Sequence, residues 1–237
     1  MTTMTVRGAA TRLLVPFPSG DGRRDARAMA DIVRLVVPDL VGLSLVVPDL
    51  DTGEACTLAA TGEDVAVLDA AQYLSGATVA ARPAHDARWL DLRTEGSLWG
   101  TLLPAATSGV GAVLAVDAGP TTASGPGSRG TVVHVYARRT AEEQVDRVAT
   151  AVATWAEGIG AARSTYLAGH ATRSPEPESL GEQGDTARAV ARVAVQQGVD
   201  VVTAGARLRD AARRAGTPEH HLARLLAHPH GRGDVRG

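Results

Sequence analysis

Several residue types are scarce or missing in this chain, and each absence narrows what the protein can be. Lysine does not occur, so all 24 basic residues are arginines. The only cysteine, Cys56, excludes a framework of internal disulfides and favours a reducing compartment. No apolar run approaches the roughly 18–20 residues that a membrane-spanning helix needs. We therefore expect a cytoplasmic protein with no membrane partner.

The charge of the chain is small overall but unevenly distributed. The net charge is −2, which gives no general attraction to nucleic acid or membranes. From residue 187 to the end there are nine arginines against four acidic residues, whereas residues 1–186 hold 15 arginines against 22 acidic residues. A basic C-terminal part on an acidic body favours a small C-terminal module that meets an anionic partner.

Hydrophobic periodicity predicts an α/β organisation in the first two thirds of the chain. Helices are predicted over 24–37, over 63–76 with Gly76 at its end, and over 141–167 as a long amphipathic helix. Asp-Thr-Gly at 51–53 marks a hairpin turn between two strands. The predicted strands are 42–47, 56–60, 109–116 and 131–137.

The C-terminal third is divided by proline, glycine and polar residues. Residues 169–184 are rich in these types and without periodicity, so they are predicted to be a linker. Three short helices follow, which must pack on each other because none is long enough to be stable alone. Asp200 and Thr217 are expected to N-cap the second and the third, and Gly216 to end the second. The predicted segments are 187–197, 201–215, a third helix with Pro218 in its first turn, and a disordered tail at 231–237.

Seven arginines in this region avoid the apolar faces of their helices. When 201–215 is projected at 100° per residue, the apolar residues fall within one arc of roughly 100° and the arginines outside it. Such a surface can contact phosphates, but the solvated side of any soluble helix shows the same pattern. No aromatic residues are interleaved, so base stacking is not indicated. The seven are Arg188, Arg192, Arg207, Arg209, Arg213, Arg214 and Arg224.

The order of elements over residues 20–168, after an N-terminal extension of residues 1–19, resembles a GAF domain of the kind that precedes ANTAR domains in actinobacterial regulators. The resemblance rests on LDAAQY at 68–73, on the spacing from Asp91-Leu92 through Trp99 to Gly109-Val110, and on VHVYARR at 133–139. It implies an antiparallel sheet flanked by helices, with a pocket for a small ligand. His134 alternates with Val133 and Val135 along its strand, so His134 and Tyr136 are the candidates to line that pocket. The alternative for His134 is an ordinary polar strand residue with no ligand.

Residues 185–230 resemble an ANTAR domain, the three-helix RNA-binding module of transcription antiterminators. The matching stretches are AVARVAVQQGVD at 189–200, AGARLRDAA at 204–212 and HLARLL at 221–226. The resemblance implies that the seven arginines bind an RNA hairpin, and that the helix at 141–167 pairs in a homodimer.

The chain departs from the ANTAR pattern at four places. Arg192-Val193 stands in the first helix where Lys or Gln followed by Gly is usual. Gly205 stands where an aromatic residue is usual, Gly216 where an asparagine is usual, and Glu219 at an apolar position. A second hypothesis therefore stays open, in which the protein is a dimeric, non-enzymatic GAF interaction protein whose ANTAR-like region no longer binds RNA.

The remaining patterns favour no cofactor, metal or reaction. Gly125, Gly127 and Gly130 match G-x-G-x-x-G, but Pro126 lies among them and a strand follows where a dinucleotide site needs a helix. The histidines at 220, 221, 228 and 230 fit no common zinc spacing. Motifs of serine hydrolases and metalloproteases are missing. We therefore expect a regulator and not an enzyme.

Overall fold

The computed structural model describes residues 13, 15, 19–49, 52–76, 79, 81–92, 109–119, 130–160 and 180–228. Four of the predicted regions lie largely or wholly outside them: the N-terminal extension, the glycine-rich loop before residue 130, most of the linker, and the tail. The helices are α1 Gly22–Arg34, α2 Glu63–Ser75, α3 Val145–Gly160, α4 Leu180–Gln197, α5 Val201–Ala215 and α6 Glu219–Ala227. The strands are β1 Leu40–Pro48, β2 Ala55–Ala60, β3 Arg82–Pro83, β4 Trp89–Asp91, β5 Ala112–Asp117 and β6 Val132–Ala137.

The six strands form one sheet, which confirms the α/β class of the chain. Its order is β2-β1-β6-β5-β3, with β4 also pairing with β5. The expectation of a purely antiparallel sheet is wrong in one place, because β3 runs parallel to β5. Strands β3 and β4 were missed by the sequence prediction, since two or three residues are too few to show a period-2 pattern.

One face of the sheet is covered by α1 and α3. Leu43, Leu114 and Val135 point to this side and form a hydrophobic cluster with Met29 of α1 and Trp155 of α3, all of them buried. The apolar stripe of the predicted helix at 141–167 is thus packed against the sheet of its own chain. The outward side of α3 carries Asp146, Thr150, Thr154 and Glu157, which are exposed and polar. Over Val145–Gly160 the exposed side of α3 is thus mainly polar, and pairing of the predicted helix in a homodimer stays a prediction.

The other face of the sheet is covered by α2, and α2 is covered in turn by α5. Residues 65–74 of α2 are all buried, because the helix has the sheet on one side and the C-terminal helices on the other. Leu208 of α5 and Leu222 of α6 belong to the same hydrophobic cluster as Val113 of the sheet. The C-terminal helices therefore form a bundle, α4–α6, that is docked on α2 and shares its core.

The ends of the C-terminal helices agree only in part with the sequence prediction. The Asp200 side chain accepts a hydrogen bond from the Thr203 amide at the start of α5, and Gly216 ends that helix in a left-handed conformation, both as predicted. Thr217 does not cap α6: Pro218 precedes the helix, and the Thr217 hydroxyl has no hydrogen-bond partner among the described residues. Helix α4 begins at Leu180, inside the predicted linker.

The early start of α4 has a tertiary cause. Its first turns carry Glu182 and Asp185, whose carboxylates pair with side chains of α6. Glu182 lies 3.4 Å from both Arg224 and His220, and Asp185 lies 3.0 Å from His228. Contacts of this kind stabilise a polar helical turn that has no apolar periodicity of its own.

Candidate functional site

The seven predicted arginines are not equally accessible. Arg188, Arg207, Arg209, Arg213 and Arg224 are exposed, whereas Arg192 and Arg214 are half-buried. The prediction that all seven lie on the solvent side therefore holds for five of them. Arg192 does not lie on the solvent side because it binds the C-terminal end of α6. Its Nη1 donates a hydrogen bond of 3.0 Å to the carbonyl of Leu226.

Three of the exposed arginines pair with acidic residues of the bundle itself. Arg188 lies 2.5 Å from Asp185 and Arg213 lies 2.6 Å from Asp210, in both cases three residues apart on one helix, and Arg224 lies 3.4 Å from Glu182. More than half of each arginine side chain remains exposed. Only the Arg213–Asp210 pair is exposed on both sides, and such a pair contributes little free energy, so a phosphate can replace the carboxylate there at small cost. Asp185 and Glu182 are 13% and 23% exposed. For Arg209, no hydrogen bond or ion pair is present among the described residues.

Arg214 is placed differently from the predicted surface. Its side chain is 16% exposed and reaches from α5 to the sheet part of the chain. The Nε atom donates a hydrogen bond of 2.8 Å to the carbonyl of Ala55, and Nη1 lies 3.3 Å from Glu54. Its guanidinium also lies over the ring of Tyr73, 4.5 Å from the centroid. Arg214 therefore joins the bundle to β2 and α2, and we remove it from the candidate RNA-binding set.

The two candidate pocket residues lie in a buried polar cluster beneath α2. His134 and Tyr136 point to the α2 side of the sheet, as the alternation predicted, and are 3% and 0% exposed. Asp69 of α2 lies between them: its Oδ1 accepts a hydrogen bond of 2.5 Å from the Tyr136 hydroxyl and lies 3.1 Å from Nδ1 of His134. Gln72 donates to the same hydroxyl at 2.6 Å. At this point of the sheet, side chains of α2 occupy the space where a pocket was expected.

The cluster extends from Asp69 to the surface of α2. Asp69 Oδ2 accepts a hydrogen bond of 2.8 Å from Thr57, and the Thr57 hydroxyl lies 2.8 Å from that of Tyr73. Tyr73 in turn lies under Arg214. Burial raises the pKa of Tyr73 and of Tyr136 well above the ordinary value, and the neighbouring Asp69 adds to both shifts. Both hydroxyls therefore stay protonated and act as donors.

The sequence contained a signal for this cluster that the prediction did not use. Helix α2 reads EDVAVLDAAQYLS, so Asp69, Gln72 and Tyr73 interrupt a helix that is otherwise apolar on all sides. Polar residues inside a fully buried helix need partners. Their partners, however, come from β2 and β6, and this pairing depends on the order of the strands in the sheet.

The cluster brings a serine, a histidine and an aspartate together, but it lacks the geometry of a hydrolase. Ser44 is directly opposite His134 in the pairing of β1 with β6. Its Oγ is buried and has no hydrogen-bond partner among the described residues, so no chain of hydrogen bonds connects Ser44 to Asp69. A nucleophile must reach its general base and its substrate. Among the described residues, Ser44 is therefore not paired with His134 as a nucleophile with its base.

From their spacing, the C-terminal histidines were predicted not to form a metal site. His220 and His221 stack edge to face with ring centroids 4.3 Å apart, and His221 lies 3.5 Å from Glu63 of α2. Within the described part of the chain, no group of three or more His, Cys, Asp or Glu side chains is placed to hold a metal ion. None of the described helices is long and apolar enough to cross a membrane.

Comparison with known proteins adds no family to this picture. No family model, no curated protein and no solved structure matches the chain. The class that the structure itself defines is a mixed α/β protein with a docked C-terminal helical bundle.

Proposed function

We propose that the protein is a sensor-regulator whose C-terminal bundle binds RNA, and through RNA binding suppresses a transcription terminator. In this proposal the sheet part, residues 20–168, is a GAF-like sensory domain for a small ligand or a protein partner, and the bundle is ANTAR-like. The single observation that carries it is the outer surface of a packed bundle that bears exposed arginines. The revised RNA-binding set is Arg188, Arg207, Arg209, Arg213 and Arg224.

The proposed contacts are to the RNA backbone. Arg209 and Arg213 lie on the side of α5 that faces away from the buried Leu208. Among the described residues, Arg213 is held only by its exposed ion pair with Asp210. Guanidinium groups bind phosphates through two parallel hydrogen bonds, which makes such a surface suited to a hairpin stem. Sequence preference would come from unpaired loop bases.

The contacts of Arg214 support a route from the sensory part to the bundle. A ligand that moves β2 or α2 changes the position of Tyr73, which lies directly under Arg214. Because Arg214 also binds the carbonyl of Ala55, the orientation of α5 depends on these two elements. The buried cluster around Asp69 connects the same tyrosine to the centre of the sheet.

Filter binding of the full chain to paired terminator hairpins tests the proposal, with transfer RNA as the reference nucleic acid. The double variant Arg209→Ala, Arg213→Ala should weaken hairpin binding and lower the slope of log affinity against log salt by about 2. Arg34→Ala is the matched control, because Arg34 pairs with Asp31 three residues away on α1, outside the bundle. Hairpin binding no tighter than transfer-RNA binding would contradict the proposal.

A second candidate function is favoured by the shared core. The bundle buries α2 together with the sheet, so its helices also serve to complete the fold of the first part. In that case the protein is a non-enzymatic interaction protein, and the bundle is structural. The same assay separates the two functions, since a structural bundle predicts equal, weak binding of all nucleic acids and no difference between the double variant and the control.

A further inference from the structure

A cleft of about 440 Å³ lies where the C-terminal end of α2 meets the bundle. Its walls come from the loop before β2, from the last turn of α2, from the end of α4 and from one side of α5. Clefts of this size, at the junction of two parts of a chain, are where small ligands most often bind. It lies outside the buried cluster of His134 and Tyr136, neither of which lines it.

Arg207 is the chemically distinctive group of this cleft. It is exposed, and among the described residues its guanidinium has no carboxylate partner. Its Nη1 donates a hydrogen bond of 2.6 Å to the neutral Oε1 of Gln197. Gln197 is itself fixed, because its Nε2 donates at 2.8 Å to the carbonyl of Leu74 in the last turn of α2. The amide thus orients a guanidinium with uncompensated positive charge toward the cleft.

A second guanidinium lines the same cleft. Arg214 lies seven residues after Arg207, which places it on nearly the same side of the helix, about two turns or ~10.5 Å along its axis. The carbonyl of Ala55 and the carboxylate of Glu54 contact its Nε and Nη1 atoms, and no hydrogen bond or ion pair involves its Nη2 within the described ranges. Donors of both arginines are therefore available on this side of α5.

The acidic residues of the cleft do not cancel the positive charge of Arg207. Glu54 is held by Arg214. Asp210 lies 2.6 Å from Arg213, whose side chain is outside the cleft, and 3.7 Å from Nη1 of Arg214, so its charge is shared between two guanidinium groups. The carbonyl of Leu74 would repel an anion, but the Gln197 amide covers it.

We propose that this cleft binds a small oxyanion whose carboxylate or phosphate group pairs with Arg207 and with the Nη2 edge of Arg214. Since α2 and α5 both contribute to the walls, the ligand stabilises the docked arrangement of the bundle. Arg207 also belongs to the proposed RNA-binding set, but the cleft site is tested with small probes and stands whether or not the bundle binds RNA. The oxyanion has two possible sources, a free small molecule or a phosphate of an RNA chain, and the experiment separates them.

Isothermal titration calorimetry of the full chain tests the site, with pyrophosphate, citrate and a short single-stranded RNA as three separate probes. We expect saturable binding of pyrophosphate or citrate, weakened about 10-fold or more by Arg207→Gln because a charge-assisted pair is lost. Arg34→Gln is the control, since it removes the same charge from α1, outside the cleft and the bundle, and it should change affinity by less than about 2-fold. Thermal unfolding of each variant without probe shows that both are folded.

Three results would overturn the proposal. One is the absence of saturable binding of either small probe up to ~10 mM, a range in which a specific site still contributes measurable free energy. Another is an equal loss of affinity in Arg207→Gln and Arg34→Gln, which would show attraction by general charge. The third is binding of the RNA probe alone, which would assign the oxyanion to a nucleic acid. Because hairpin binding is measured separately, failure of the cleft site leaves the proposed RNA function to its own test.

Discussion

At the scale of single residues, the most consequential feature is the polar cluster inside the core. Asp69 and Tyr136 are both fully buried, and Asp69 gains hydrogen bonds from Tyr136 and Thr57. A buried carboxylate is tolerated only where its oxygens are hydrogen-bonded, because burial without partners costs several kcal/mol. The direction in which His134 and Tyr136 point was predictable from the alternation along β6. Their partner was not, because Asp69 is 65 residues away from His134 in the sequence.

The two buried tyrosines predict how stability depends on alkaline pH. Since the pKa of Tyr73 and of Tyr136 is raised in the folded chain, both remain neutral there when the unfolded chain begins to ionise near pH 10. Their contribution is therefore complete below about pH 10 and is lost as pH rises further toward the folded-state pKa values. Urea unfolding at about pH 8 and pH 11 should show a lower free energy of unfolding at the higher pH.

Tyr136→Phe is the informative variant for this pH dependence. It removes one of the two titrating hydroxyls, so the loss of free energy between the two pH values should become smaller than in the parent chain. The variant is less stable at both pH values, since Asp69 and Gln72 lose a hydrogen-bond partner. An unchanged difference between the two pH values would mean that Tyr136 does not carry a raised pKa.

At the scale of elements, local patterns predicted the long helices and strands, and tertiary contacts decided the rest. Helix α2 ends at Gly76 in a left-handed conformation, and α5 begins with the Asp200 cap, because both signals act within a few residues. The sequence prediction missed the start of α4, because this start depends on ion pairs with α6. It also missed strand β3, which consists of only two residues beside β5. The predicted N-cap at Thr217 was also wrong, because Pro218 is the residue at the N-cap position of α6.

Helix α5 offers a test of whether low helix propensity at one residue lowers the stability of the bundle. Gly205 is in the middle of α5, and a Cβ there would meet only the side chain of Val190, at 3.9 Å, which is ordinary van der Waals contact. Gly205→Ala should therefore raise the free energy of unfolding by up to about 1 kcal/mol, measured by urea denaturation. The contrasting variant is Gly111→Ala, whose Cβ would overlap the backbone carbonyl of Arg138 and should destabilise the chain. Destabilisation by Gly205→Ala would show that α5 is packed more closely than these contacts indicate.

At the scale of the whole molecule, the docking of the bundle was beyond sequence reasoning. The polar composition of 169–184 predicted two parts joined by a linker, and such a pattern carries no information on whether the parts touch. The contacts are made by Gln197 with Leu74 and by Arg214 with Ala55, pairs that are 123 and 159 residues apart. The hydrophobic cluster that spans α2, α5 and α6 is likewise assembled only in the folded chain.

Adjacent arginines on α5 allow the docking to be tested with a matched pair. Arg214 is 16% exposed and binds Ala55, Glu54 and Tyr73, whereas Arg213 is 68% exposed and pairs only with Asp210 among the described residues. Arg214→Ala should lower the free energy of unfolding by about 1–3 kcal/mol, because it removes the hydrogen bond to the carbonyl of the half-buried Ala55 and the contact with the aromatic ring. Arg213→Ala should change it by less than about 0.5 kcal/mol.

The same pair shows whether the bundle and the sheet unfold together. All three tryptophans precede residue 160, so near-ultraviolet circular dichroism reports the sheet part, while the far-ultraviolet signal includes the bundle. A shared core predicts coincident urea transitions for the two signals in the parent chain and in Arg213→Ala. In Arg214→Ala the far-ultraviolet transition should move to lower urea before the tryptophan signal changes, because the bundle loses its main polar attachment. Two separate transitions already in the parent chain would mean that the bundle folds independently of α2 and that Arg214 does not hold it there.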